Sequence, residues 1–151
     1  MANFVMPPKT LRVGVDELLY GAAGGAVNAA GAMGTFAIPP QSSIWRAGMV
    51  IIAVPVGGTV TTATFNFEVA MFPQNAPNGQ SAFAIYNKMV GITGAPSTLT
   101  SYSALPLIAT GVANAVAIDM TGLGGNGLMR LNFTGVTLGT GTGFDVYAHI
   151  G

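Results

Sequence analysis

Residues 44–72 read IWRAGMVIIAVPVGGTVTTATFNFEVAMF, two apolar runs joined by Gly57-Gly58. In the second run Phe65, Phe67, Val69 and Met71 alternate with Thr64, Asn66, Glu68 and Ala70, the period of two that a half-buried strand requires. The first run, Met49 to Val54, is apolar at consecutive positions and rich in β-branched side chains, which predicts a strand covered on both faces. One cover is the protein's own core. The identity of the other is the functional question.

From Thr35 onward apolar runs of four to ten residues are closed by Gly, Pro or Asn, the rhythm of an antiparallel β protein. The expected strands are Phe36–Ile38, Trp45–Val56, Thr62–Phe72, Ala82–Met89, Leu105–Thr110, Ala115–Met120, Leu128–Leu138 and Phe144–Ile150. Asn78-Gly79 and Asn126-Gly127 suit tight turns. Met129, Leu131 and Phe133 alternate with Arg130, Asn132 and Thr134. Phe144, Val146, Ala148 and Ile150 alternate with Asp145, Tyr147 and His149. Eight strands without a helical period predict an all-β fold, an antiparallel β-sandwich of jelly-roll-like kind, over residues 34–151. Residues 1–33 differ. Pro7-Pro8 favour extended backbone, Val13 to Tyr20 offers at most a short strand or a turn or two of helix, and GAAGGAVNAAGAMG has little to anchor it. This segment reads as an extended Gly/Ala-rich N-terminal arm, either disordered or docked on a partner subunit.

Composition narrows the function. The 151 residues form one domain by size, and only ten are charged, five of each sign. Half are hydrophobic. A neutral, apolar surface of this kind is poorly protected against association and reads as surface occupied by copies of itself or by a larger assembly. The alternative is a monomer solvated by Thr, Asn and Gly. The absence of cysteine removes disulfides, thiolate nucleophiles and Cys-based metal sites. The N-terminus lacks the pattern of a secretion signal, so assembly in a cytoplasm is expected. Charge is sparse along the whole chain, and the uncharged segments carry Pro, Asn and Ser, so a membrane span is not expected.

No catalytic constellation emerges. Gly122, Gly124 and Gly127 match G-x-G-x-x-G, yet the residues after Gly127 alternate as a strand where a dinucleotide site needs a helix. His149 is the only histidine, and along a strand Asp145 lies roughly 13 Å from it, so it reads as a surface or inter-subunit residue. One imidazole falls short of a zinc set. Asp16 and Glu17 make calcium conceivable without the D-x-D-x-D-G spacing of a calcium loop. Glu68, Asp119 and Asp145 lie on separate strands and read as solvated or paired acids. Lys9, Arg12, Arg46, Lys88 and Arg130 form no cluster, so nucleic-acid binding is not expected, although Lys9 and Arg12 are placed to touch an acidic partner. Trp45 and Arg46 open the central stretch, where an interface anchor and a cap on the core are equally compatible. Tyr20, Tyr86, Tyr102 and Tyr147 leave a carbohydrate-stacking surface as a minor alternative. No cofactor is implied.

The Gly/Ala-rich segment 21–34, the cysteine-free and charge-poor β domain and the Asn-Gly and Gly-Gly turns together resemble the small cement or decoration proteins of tailed-bacteriophage capsids. The resemblance implies a jelly-roll-like domain that binds the outside of an icosahedral shell, with the major capsid protein and its own copies, as dimer or trimer, for partners. It also implies location on the virion surface, after assembly in the host cytoplasm. Interface expectations fall on Lys9 and Arg12 in the arm and on Trp45, Arg46, Val50 and Ile52 in the central stretch. The alternatives are another virion part, such as a head fibre, tail or baseplate module, and a cellular carbohydrate-binding β-sandwich.

Overall fold

The computed structural model describes residues 9–38, 48–70, 83–87, 89–92, 105–108, 114–120 and 128–151, with residues 89–92 described by their backbone. Every regular element among them is a strand: β1 Lys9–Thr10, β2 Asp16–Tyr20, β3 Gly31–Ala32, β4 Phe36–Ala37, β5 Gly48–Val56, β6 Val60–Ala70, β7 Phe83–Ile85, β8 Met89–Ile92, β9 Leu105–Ile108, β10 Ala115–Asp119, β11 Leu128–Leu138 and β12 Gly143–Ile150. Two sheets result. One runs β1-β4-β11-β6-β7, with β3 also on β11 and β9 also on β6; the other runs β2-β12-β5-β10-β8. All pairs are antiparallel except β1 with β4.

The alternation of the central stretch decides what each sheet buries. On β5, Met49, Ile51 and Ala53 are buried; on β6, Phe65 and Phe67; on β11, Met129, Leu131 and Phe133; on β12, Phe144, Val146, Ala148 and Ile150. These side chains, from both sheets, form one hydrophobic cluster. The Phe133 ring of β11 meets the Phe144 ring of β12 edge-on, with centroids 5.4 Å apart, so the two sheets touch through the aromatic pair. The Tyr20 hydroxyl of β2 donates to the Gly34 carbonyl at 2.7 Å and accepts the Leu131 amide of β11 at 3.4 Å, a second tie between the sheets.

Residues 9–33 do not extend from the domain as the arm reading has it. Leu11, Tyr20 and Val27 belong to the core, β2 is an edge strand paired with β12, and β3 pairs with β11. The Gly/Ala run is ordered by backbone contact rather than by large side chains. Val27 and Phe144 exchange two backbone hydrogen bonds of 3.0 Å, and the Asp145 carboxylate accepts from the Ala22 and Ala26 amides. Gly25 has φ +92°, and a Cβ there would lie 2.5 Å from the Gly143 carbonyl carbon. Only glycine permits that approach.

The expected strand Ala82–Met89 is two strands, one in each sheet. Asn87 explains the break: its side-chain carbonyl accepts the Phe67 amide at 2.9 Å, and its amide donates to Asn66. A side chain thereby takes the ladder bond, and the next described strand, β8, lies in the other sheet. The Asn-Gly turns and the G-x-G-x-x-G glycines lie outside the described residues.

Candidate functional site

The outward face of the five-stranded sheet is built on β5. With Met49, Ile51 and Ala53 turned inward, alternation turns Val50, Ile52 and Val54 outward. The two interface candidates Val50 and Ile52 therefore share the face away from the core. Register places their neighbours. Leu18 of β2, Tyr147 of β12, Ile52 and Ala115 of β10 form one cross-strand row; Asp16, His149, Val50 and Ala117 form the next, continued by Gly91 of β8. Leu18 is 42% and Val54 44% exposed. The face is apolar across its centre, with Asp16, His149 and Asp145 toward the β2 side and Asp119 at the end of β10.

The opposite outer face carries a polar network, with Phe83 and the exposed Ile85 of β7 at its edge. Glu68 of β6 is buried, its carboxylate accepting from Arg130 Nε at 2.8 Å and from Asn132 Nδ2 at 3.1 Å. The Arg130 guanidinium lies 3.9 Å over the Phe83 ring, a cation–π contact. Asn66 accepts from Asn87, and the Thr64 and Thr134 hydroxyls are 2.9 Å apart. The two outer faces thus differ at their centres: polar groups bonded to one another on the seven-stranded sheet, with Ile85 exposed at its edge strand, and aliphatic side chains on the five-stranded one.

Lys9 and Arg12 are engaged within the chain rather than turned to an acidic partner. Register with Ala148 sets Glu17 of β2 on the inward side, where it is buried, and its carboxylate draws both cations. Arg12 Nε donates to Oε1 at 2.6 Å, the Arg12 amide donates to the same oxygen at 3.0 Å, and Lys9 Nζ stands 3.4 Å from Oε2. Lys9 also donates to the Leu18 carbonyl, which ties β1 of one sheet to β2 of the other. The hydrogen bond from Arg12 holds the Glu17 carboxyl below the usual carboxylate range. Burial does the reverse to Tyr20, whose hydroxyl is pushed above its ordinary range.

His149 Nδ1 lies 2.6 Å from Asp16 Oδ1, joining β12 to the edge strand β2, while Asp145 serves the amides of Ala22 and Ala26. Among the described residues no group of three His, Cys, Asp or Glu side chains is gathered around a common point. Trp45 and Arg46 lie outside the described residues.

Sequence reasoning found the β5 part of the apolar face, Val50, Ile52 and Val54, and missed Leu18 and Tyr147 as its neighbours. The alternation of Tyr147 with buried Val146 and Ala148 was a usable signal; Leu18 carried none, because β2 pairs with β12 more than a hundred residues away in the chain. No protein-family model, curated protein or solved structure matches this chain.

Proposed function

We propose that this protein is a structural component of an icosahedral virion, binding the outside of the shell and stabilising capsomer junctions. The observation that carries the reading is the apolar centre of the outward face of the five-stranded sheet, in a chain with ten charges in 151 residues. An aliphatic face of this kind is a contact surface awaiting a partner. Many copies of a modest contact hold a shell by avidity, without high affinity at each one and without chemistry.

Strand order supports the jelly-roll part of the reading. β12 returns to lie between β2 and β5, and β11 returns to lie between β4 and β6. The path β4, β5, β6 changes sheet at each step, and so does the path β9, β10, β11, β12. A jelly roll divides two Greek keys over two sheets, the architecture of many viral capsid and lectin domains, and this strand order favours that reading. The lectin alternative draws on the opposite face, where Arg130 lies over the Phe83 ring and Asn87 donates to Asn66. It requires glycan binding by the isolated subunit.

Mixing the purified protein with shells that lack it tests the proposal. Saturable co-sedimentation and a higher temperature of shell rupture are expected. Absence of co-sedimentation at tens of micromolar, roughly the range in which weak multivalent contacts still register, contradicts it.

A further inference from the structure

We propose that the outward face of the five-stranded sheet is occupied by a second copy of this chain, in a two-fold dimer whose axis runs along β5 in the plane between the two copies. The inference rests on the same face as the capsid reading and assigns it to the contact between copies, which leaves the shell contact to the remaining surface of the dimer.

Three features of the face select a copy of itself. The first is relief. Across the row Leu18–Tyr147–Ile52–Ala115, side-chain size peaks at Tyr147 of β12 and falls toward β10, and the row Asp16–His149–Val50–Ala117–Gly91 peaks at His149 and falls the same way. Rotation by half a turn about an axis parallel to β5 exchanges the two sides of the sheet. The ridge made by Tyr147 and His149 of one copy then sits over the hollow of Ala115 and Ala117 in the other, while Ile52 and Val50 meet their own counterparts on the axis. An in-plane axis across the strands would instead set ridge on ridge. Isologous contacts require this kind of self-complementarity.

The second feature is charge. Asp16, His149 and Asp145 all lie on the β2 side of β5, so the same rotation keeps each away from its own copy and lays Asp16 over Gly91 and His149 over Ala117. Asp119 stands one row beyond Ala117, on the side that receives the His149 of the other copy. Like charges therefore stay apart.

The third is size. Five strands about 4.8 Å apart, four to nine residues long at about 3.3 Å per residue, give a flat footprint of roughly 500 Å² per copy, which side-chain relief enlarges. Doubled over two copies, that reaches the roughly 1,000 Å² at which specific interfaces begin. A reversible dimer with dissociation in the micromolar range, about 1–100 µM, is expected for a small interface of this type.

The natural absence of cysteine makes the geometry directly readable. Sedimentation equilibrium of the full chain should show a monomer–dimer equilibrium. Val54→Lys, at an exposed position facing its own copy, should shift it to monomer while leaving circular dichroism unchanged; Leu18→Lys serves as a second such variant. With a short bis-maleimide, Ile52→Cys should cross-link to itself. Tyr147→Cys and Ala115→Cys should cross-link when mixed, and neither should do so alone. A monomer at all concentrations overturns the proposal, as does a trimer. Self-linking of Tyr147→Cys overturns the assigned axis. An Ile52→Cys thiol that resists labelling in a monomer would mean that other residues of the same chain cover the face, which also overturns it.

Discussion

Glu17 shows how a single residue departs from what its type suggests. A carboxylate on a strand of a charge-poor protein reads as a solvated group, yet this one is buried and held by Arg12 and Lys9. Its lowered pKa fixes the sign of its effect: the ionised form stabilises the fold above the ordinary value of 4.5, and the contribution is lost as pH falls through the lowered folded value. Glu17→Gln should therefore lower the thermal midpoint at pH 7, and its difference from the parent should shrink as pH is taken below 4.5, measured by melting at a series of pH values. Gly25 makes an opposite point, since its importance is steric. Gly25→Ala forces a Cβ against the backbone of Gly143 and Phe144 at positive φ, and should cost about 1–3 kcal/mol in denaturant unfolding. Tyr20→Phe removes the hydroxyl that donates to Gly34 and should cost about 1 kcal/mol in the same assay.

At the scale of elements, period-two patterning was a reliable guide wherever a strand was long enough to repeat it. β11 occupies Leu128–Leu138 as read from alternation, β6 begins two residues before the expected Thr62, and β12 begins one before the expected Phe144. The pattern fails for strands too short to show a period. β1 and β3 have two residues each, and β3 is Gly-Ala, with no side chain large enough to mark a face. These strands exist because β4 and β11 offer them open ladder positions, information that lies elsewhere in the chain. The Gly/Ala run looked unanchored for the same reason: its anchors are the backbone of Phe144 and the carboxylate of Asp145. The alternation on β5 carries its own test. Ile51→Ala, on the core side, should cost about 2–5 kcal/mol, while Val54→Ala, three residues on and facing outward, should cost less than about 1 kcal/mol. Equal losses in chemical denaturation would place β5 in a different register.

The whole molecule joins a conventional interior to an unusual exterior. Burial of phenylalanines from both sheets accounts for a single core, and the sequence announced that core through Phe65, Phe67, Phe133 and Phe144. The candidate site was half legible. The apolar run of β5 signalled a second covered face, but the row of Leu18, Tyr147 and Ala115 beside Ile52 is a product of register across four strands and shows in no local pattern. Lys9 and Arg12 looked like an interface because their partner, Glu17, is an acid that the strand pattern alone would not place inward. The assembly reading rests on this exterior, and the copy number of the chain in purified particles from its source tests it most directly, by quantitative mass spectrometry against the most abundant shell protein. A simple ratio set by shell symmetry, one to one or another small fraction, is the result expected of a cement protein. A handful of copies per particle, or none, would contradict it.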